Sequence, residues 1–194
     1  MALSMNYKFT LTYELDAPIA IAVAAYLDSE HYIFLHSAYT DKYEVLHHEH
    51  HSRVITVRQT WKLLGISMGQ VYTCEYVPPA QFKNYNVKPS PWYIPSIHHL
   101  ISVSTDLKYL PHPEKDTTIS ILDVDIKLPF WLYPLRHWLQ KGIEKLKIEK
   151  DEEDIEMIYR REKLFGRGNN SVYLADHQFM LYKDDYVKYY GNSK

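Results

Sequence analysis

The feature that most restricts the fold is a change of hydrophobic period at Pro129. Before it, short runs alternate apolar and polar residues, as half-buried strands require. After it, Leu135, Trp138, Leu139, Ile143 and Leu146 recur at spacings of three and four, as one face of a helix requires. A chain that builds strands first and a long helix last buries both most simply by laying the apolar face of the helix across the sheet.

Lys8 to Glu14 reads as the first strand, with Phe9, Leu11 and Tyr13 on one face. Asp16-Ala17-Pro18 reads as a helix start, Asp16 as the cap and proline in the first turn. Ile19 to Leu27 is apolar nearly all round, so this helix is expected to be buried on most of its circumference. Tyr43–Leu46, Arg53–Leu63 with Ile55, Val57 and Trp61 on one face, Met68–Val77, Gln81–Val87, His98–Leu110 and Thr117–Lys127 then read as an antiparallel meander. With the first strand that makes six, or seven with Gln81–Val87 counted. The long helix resumes through Ile155, Ile158 and Tyr159 to Phe165, where Gly166 and Gly168 stop it. Ser171 to Lys183 reads as strand or extended tail, and Asp184 to Tyr190 as a last helical turn. One domain over residues 1–194, with a C-terminal tail from about 166, is the expectation.

Composition narrows the function classes. A net charge of −2 leaves no overall basic footprint for nucleic acid or an anionic membrane, and neither partner is expected. The N-terminal residues lack a basic region followed by an apolar run, so a cytoplasmic location is the default expectation. Cys74 is the sole cysteine, which excludes an intrachain disulfide and any all-cysteine zinc or iron–sulfur site. Eighteen tyrosines supply rings with a polar tip, suited equally to a core and to the wall of a cavity.

Two motifs carry chemistry. Asp28, His31 and His36 are spaced D-x2-H-x4-H directly after the first helix. Two neutral imidazoles and a carboxylate from elsewhere form the facial triad that holds non-haem Fe(II) with open positions; two histidines flanking an apolar helix end are the plainer alternative. His31 and His36 lie five positions apart, about 140° around a helix, so a helix bearing both must break near Leu35 to bring them together. Far along the chain, Glu153-Asp154-Ile155-Glu156-Met157 places an aspartate on the long helix. An acidic run there also reads as a solvated face, with Asp151 the competing candidate. His47-His48-Glu49-His50-His51 is the densest histidine cluster, yet a polar run joining two strands reads as a solvated hairpin connection.

Together these motifs resemble the catalytic domain of Rieske-type non-haem iron oxygenases, which belongs to the helix-grip, START-like superfamily. The resemblance implies an α+β, helix-grip (START-like/Bet v 1-like) fold, a curved antiparallel sheet wrapped around a long C-terminal helix. It implies mononuclear Fe(II) held by His31, His36 and Asp154, with Asp28 a catalytic candidate beside the metal. The chain lacks the C-x-H and C-x2-H motifs of a Rieske domain, so electrons would come from a separate ferredoxin or Rieske-type donor, or from the substrate. A small hydrophobic or aromatic substrate is implied, with Tyr32, Phe34, Tyr39, Trp61, Phe130 and Trp131 as candidates for the cavity wall. The same ligands accept Zn or Mn, and the oligomeric state, a homo-oligomer included, stays open. Two alternatives share the scaffold: a metal-free START-like carrier of a hydrophobic ligand, in which His31 and Asp154 form a buried polar pair, and an acid–base cyclase or dehydratase.

Overall fold

Alternation of buried and exposed residues builds the sheet directly. In the computed structural model, which describes residues 4–28, 40–63, 66–90, 96–165 and 180–191, strand β1 (Ser4–Leu15) turns its odd-numbered side chains from Tyr7 onward inward. Strand β7 (Thr118–Pro129) turns its even-numbered ones inward, from Thr118 to Leu128. The two pair antiparallel over their whole length, Phe9 opposite Val124. Between them in sequence come β2 (Thr40–Glu49), β3 (Val54–Leu63), β4 (Ile66–Val77), β5 (Gln81–Pro89) and β6 (Ser102–Pro111).

All seven strands form one curved antiparallel sheet in the order β1-β7-β6-β5-β4-β3-β2. The chain therefore passes from one edge of the sheet to the other between β1 and β2. Helix α1 (Ile19–Leu27) makes part of this passage, with Ile21 through Ala25 and Leu27 all buried, as its apolar circumference requires. Pro18 occupies the N-cap and no side chain caps the helix, so Asp16 does not play the expected part; the Pro18 carbonyl accepts from Ile21 and Ala22 instead.

Helix α2 (Arg136–Phe165) follows β7 through a short 3-10 segment, Phe130–Leu135. It meets β1 at two points, Tyr7 with Gln140 and Tyr13 with Asp151. Between them the helix advances about 16 Å and the strand about 20 Å, so the two run nearly side by side in the same direction. The chain closes with α3 (Lys183–Tyr190), whose Tyr186 and Tyr190 are buried in the same core as α1 and the sheet.

The face that α2 turns to the sheet departs from expectation. Leu139 and Ile143 pack against the core, but Leu135, Trp138 and Leu146 are 50%, 73% and 58% exposed. Counting at 100° per residue, the centre of the inward face falls near Lys147, Asp151 and Gln140. The helix thus offers polar groups to the interior, and its apolar stripe is turned partly to solvent.

Candidate functional site

Strand register lines up one belt across the concave face: Ile55, Cys74, Asn84, Thr105, Val124 and Phe9, each opposite the next. Asn84 and Thr105 are joined by β5–β6 pairing. Polar groups thus sit at the middle of an otherwise apolar surface. Above them Tyr26 of α1 stacks on Phe82 at 4.0 Å, Phe82 on Tyr76 at 5.1 Å, and Tyr76 on Tyr182 at 5.7 Å. This ladder of rings and the Ile55, Cys74 and Asn84 end of the belt line a cavity of about 50 Å³ whose wall also includes Tyr43, Tyr72 and Tyr182.

The polar groups of this wall are held in fixed directions. The Asn84 amide donates to the Tyr26 hydroxyl at 3.0 Å and to Thr105 Oγ1 at 3.3 Å. Its Oδ1 and the Tyr182 hydroxyl are buried with no hydrogen-bond partner among the described residues. Burial pushes the phenols of Tyr26, Tyr43, Tyr76 and Tyr182 above their ordinary range, so each keeps its proton near neutral pH.

Burial also raises the Cys74 thiol from 9.0 to about 12. Because the thiolate is the reactive form, Cys74 is expected to resist alkylation in the native protein at mildly alkaline pH and to react at once in denaturant, as mass spectrometry of iodoacetamide-treated protein would show. The shift has a thermodynamic counterpart. Below pH 9 the thiol is neutral in both states; between 9 and about 12 the unfolded chain ionises first, and the contribution to stability is lost.

A second polar group lies between α2 and β1. Asp151 is 6% exposed and accepts from the Tyr13 hydroxyl and from the Lys147 ammonium one turn earlier. Burial first, and the Asp151 charge second, hold the Tyr13 phenol well above its ordinary range. Burial lowers the Lys150 ammonium, while Asp154 and Asp151 oppose the shift. The same two carboxylates act on Tyr26 and Tyr109. A carboxylate, a phenol and two ammonium groups on one polar seam can move or hold a proton.

The structure treats the sequence candidates unequally. Helix α1 ends at Leu27, and Asp28 is extended and 2% exposed, bridged to Met180, with the Leu181 amide donating to the Leu27 carbonyl at 2.9 Å. Asp28 therefore lies where the C-terminal segment docks, not on a continuing helix. His31 and His36 lie outside the described residues, as do Tyr32, Phe34, Tyr39 and the Trp61 side chain. Asp154 is half-buried on α2, one turn from Asp151. Phe130 and Trp131 are 57% and 53% exposed and do not line the cavity. The histidine cluster is an exposed strand end and turn between β2 and β3, as its polarity implied. Tyr13, Lys147, Cys74, Asn84 and Tyr182 were not site candidates in the sequence; the inward face of β1 and the four-residue spacing of Lys147 and Asp151 are the signals that carry the first two.

No family model matches the chain, and no curated protein matches it. Solved structures do. The ZhuI aromatase/cyclase from Streptomyces sp. R1128 is 14% identical with a TM-score of 0.60, covering 81% of this chain and 96% of that one. A START superfamily protein from Mycobacterium smegmatis is 17% identical with a TM-score of 0.57, covering 78% and 98%. A norcoclaurine synthase from Thalictrum flavum is 12% identical with a TM-score of 0.52, covering 77% and 99%.

These neighbours correct the reading of the chain as an iron-binding oxidoreductase of the non-haem oxygenase type. They are a cyclase, a START protein and a synthase, and among the described residues no group of three or more His, Cys, Asp or Glu is placed to hold a metal ion. The physical reason lies in the motif: a two-gap spacing is matched readily in a chain with 11 histidines and 24 acidic residues. No helix among the described residues is long and apolar enough to cross a membrane. In sheet order, α1 crossing and long C-terminal helix, the chain has the helix-grip fold of START and Bet v 1-like proteins.

Proposed function

We propose that the protein binds a small hydrophobic, aromatic ligand between the sheet and its helices, at the tyrosine-lined cavity. The observation that carries this reading is the pair of buried polar atoms, Asn84 Oδ1 and the Tyr182 hydroxyl, set in a wall of stacked rings with no partner among the described residues. Ring faces favour a flat apolar body, and the two atoms favour one donor and one acceptor at its edge. The 50 Å³ enclosed is far below the few hundred Å³ a ligand of that kind fills. Binding must therefore move part of the wall, and Leu181 and Tyr182, which come from the C-terminal segment, are the part not built into the sheet or α1.

Titration with a panel of hydroxylated naphthalenes and anthracenes, followed by tyrosine fluorescence, tests this. Saturable binding is expected, weakened about tenfold by Asn84→Leu for members with a hydroxyl but not for the bare hydrocarbons. Absence of saturable binding across the panel would sink the reading.

A second reading, an acid–base cyclase on the same scaffold, is favoured by the Tyr13–Asp151–Lys147 seam. It requires that Tyr13→Phe abolish turnover of a cyclisable ligand while leaving its binding intact.

A further inference from the structure

One end of the molecule carries an exposed apolar surface that the cavity does not use. Phe130, Trp131, Leu135 and Trp138 are 57%, 53%, 50% and 73% exposed in the single stretch that leads from β7 into α2. Register puts Met5 and Leu100, 41% and 52% exposed, at the same end, since Ser4 pairs with Pro129 and Ser102 with Lys127. Soluble proteins rarely leave two tryptophans and a phenylalanine this open without a partner.

Charge identifies the partner. Residues 127–147 hold five Lys and Arg against the single carboxylate of Glu144, on a chain whose net charge is −2; Lys147 is turned inward onto Asp151, and the other four remain. Lys127, Lys141 and Lys145 are exposed along the same stretch; Lys145 is 76% exposed and only loosely paired with Glu149 at 3.6 Å, and Glu144 is engaged with Gln140 at 2.7 Å. Aromatic rings among cations, on a segment that lies along the surface, are the combination that settles into the headgroup layer of an anionic bilayer. A second copy of the chain would bring the same positive charge against itself.

We propose that this end of the molecule docks on an anionic lipid surface, with Trp131 and Trp138 in the headgroup layer and Lys141 and Lys145 against lipid phosphates. The overall charge, which argued against a membrane, conceals the patch because its balance of acidic residues lies elsewhere. This inference stands apart from the ligand reading: either can fail without the other.

Co-sedimentation of the full chain with vesicles tests it, using phosphatidylcholine alone and phosphatidylcholine with a quarter phosphatidylglycerol. Binding to the anionic vesicles alone is expected, with a blue shift in tryptophan emission. Trp138→Ala is expected to weaken it about tenfold, and Lys141→Gln or Lys145→Gln about fivefold each. These side chains are exposed, so circular dichroism should show all three variants folded. No binding to the anionic vesicles, or undiminished binding by a Trp131→Ala/Trp138→Ala double variant, would overturn the proposal. So would a concentration-dependent dimer in ultracentrifugation that the double variant abolishes, which would make the patch a contact between copies.

Discussion

Asp151→Ala is expected to destabilise the protein by about 3–5 kcal/mol, the cost of removing one partner from a buried ion pair. Asp151 is 6% exposed, and the Lys147 side chain that it holds is only 17% exposed. Truncation leaves that ammonium, the partly desolvated Lys150 and the Tyr13 hydroxyl facing a small cavity. Tyr13→Phe removes one neutral donor and is expected to cost only about 1–2 kcal/mol. The decisive comparison is the double variant Asp151→Leu/Lys147→Met, which removes both charges and restores apolar packing. It should recover most of the loss, because the penalty comes from the stranded charge rather than from the worth of the pair. Urea denaturation of the four proteins measures this, and a loss below about 1 kcal/mol for Asp151→Ala would show that the seam is solvated and the polar face of α2 is not an interior.

Tyr186→Ala is expected to cost about 3–5 kcal/mol and to open the cavity. The ring is fully buried and its hydroxyl donates to the Ala20 carbonyl of α1 at 3.1 Å, so it is the peg by which α3 enters the core. Two further ties hold this segment: Arg53 bonds Asp185 through Nε at 2.5 Å and Nη2 at 2.8 Å, and the Tyr190 hydroxyl donates to the Pro79 carbonyl at 3.0 Å. With the peg gone, these ties hold only one side of α3, and Tyr182 loses its anchor over the cavity. Cys74 reports on this from inside: its alkylation should accelerate in Tyr186→Ala under conditions where the protein remains folded by circular dichroism. Tyr186→Phe keeps the ring and should label almost as slowly as the parent. Equal labelling of all three proteins would show that α3 does not control access.

The architecture was legible because strands and helices announce themselves by period. Alternation in Lys8–Glu14 and Thr117–Lys127, and the change after Pro129, led to the seven strands and the long helix. Boundaries moved where local geometry intervened, as at Ile97–His99, which is a 3-10 turn before β6 rather than the start of the strand. The site was less legible for a physical reason. Reading an amphipathic helix assumes that its apolar side faces the core, and α2 reverses this in part, keeping Asp151 and Lys147 inside and Trp138 and Leu146 outside. The belt of Cys74, Asn84 and Thr105 was invisible for a different reason: it exists only through the register of three strands. Asp151 and Asp154 were both read from the acidic run on the long helix; that Asp151 is buried against β1 and bonded to Tyr13 depends on the rotation of α2 over the sheet, which the run itself does not carry.

The pairing of β1 with β7 has a consequence for how the chain is made. Strand β1 leaves the ribosome before β2 to β6 yet needs β7, made after all of them, as its partner, and at common rates of translation roughly 5–20 s separate the two. During that interval Phe9, Leu11 and Tyr13 have no sheet to join, whereas β2 through β6 can zip in order as each emerges. The nascent meander with its N-terminal strand still loose is the species a chaperone would meet, and the strand's open edge is where two unfinished chains would find each other.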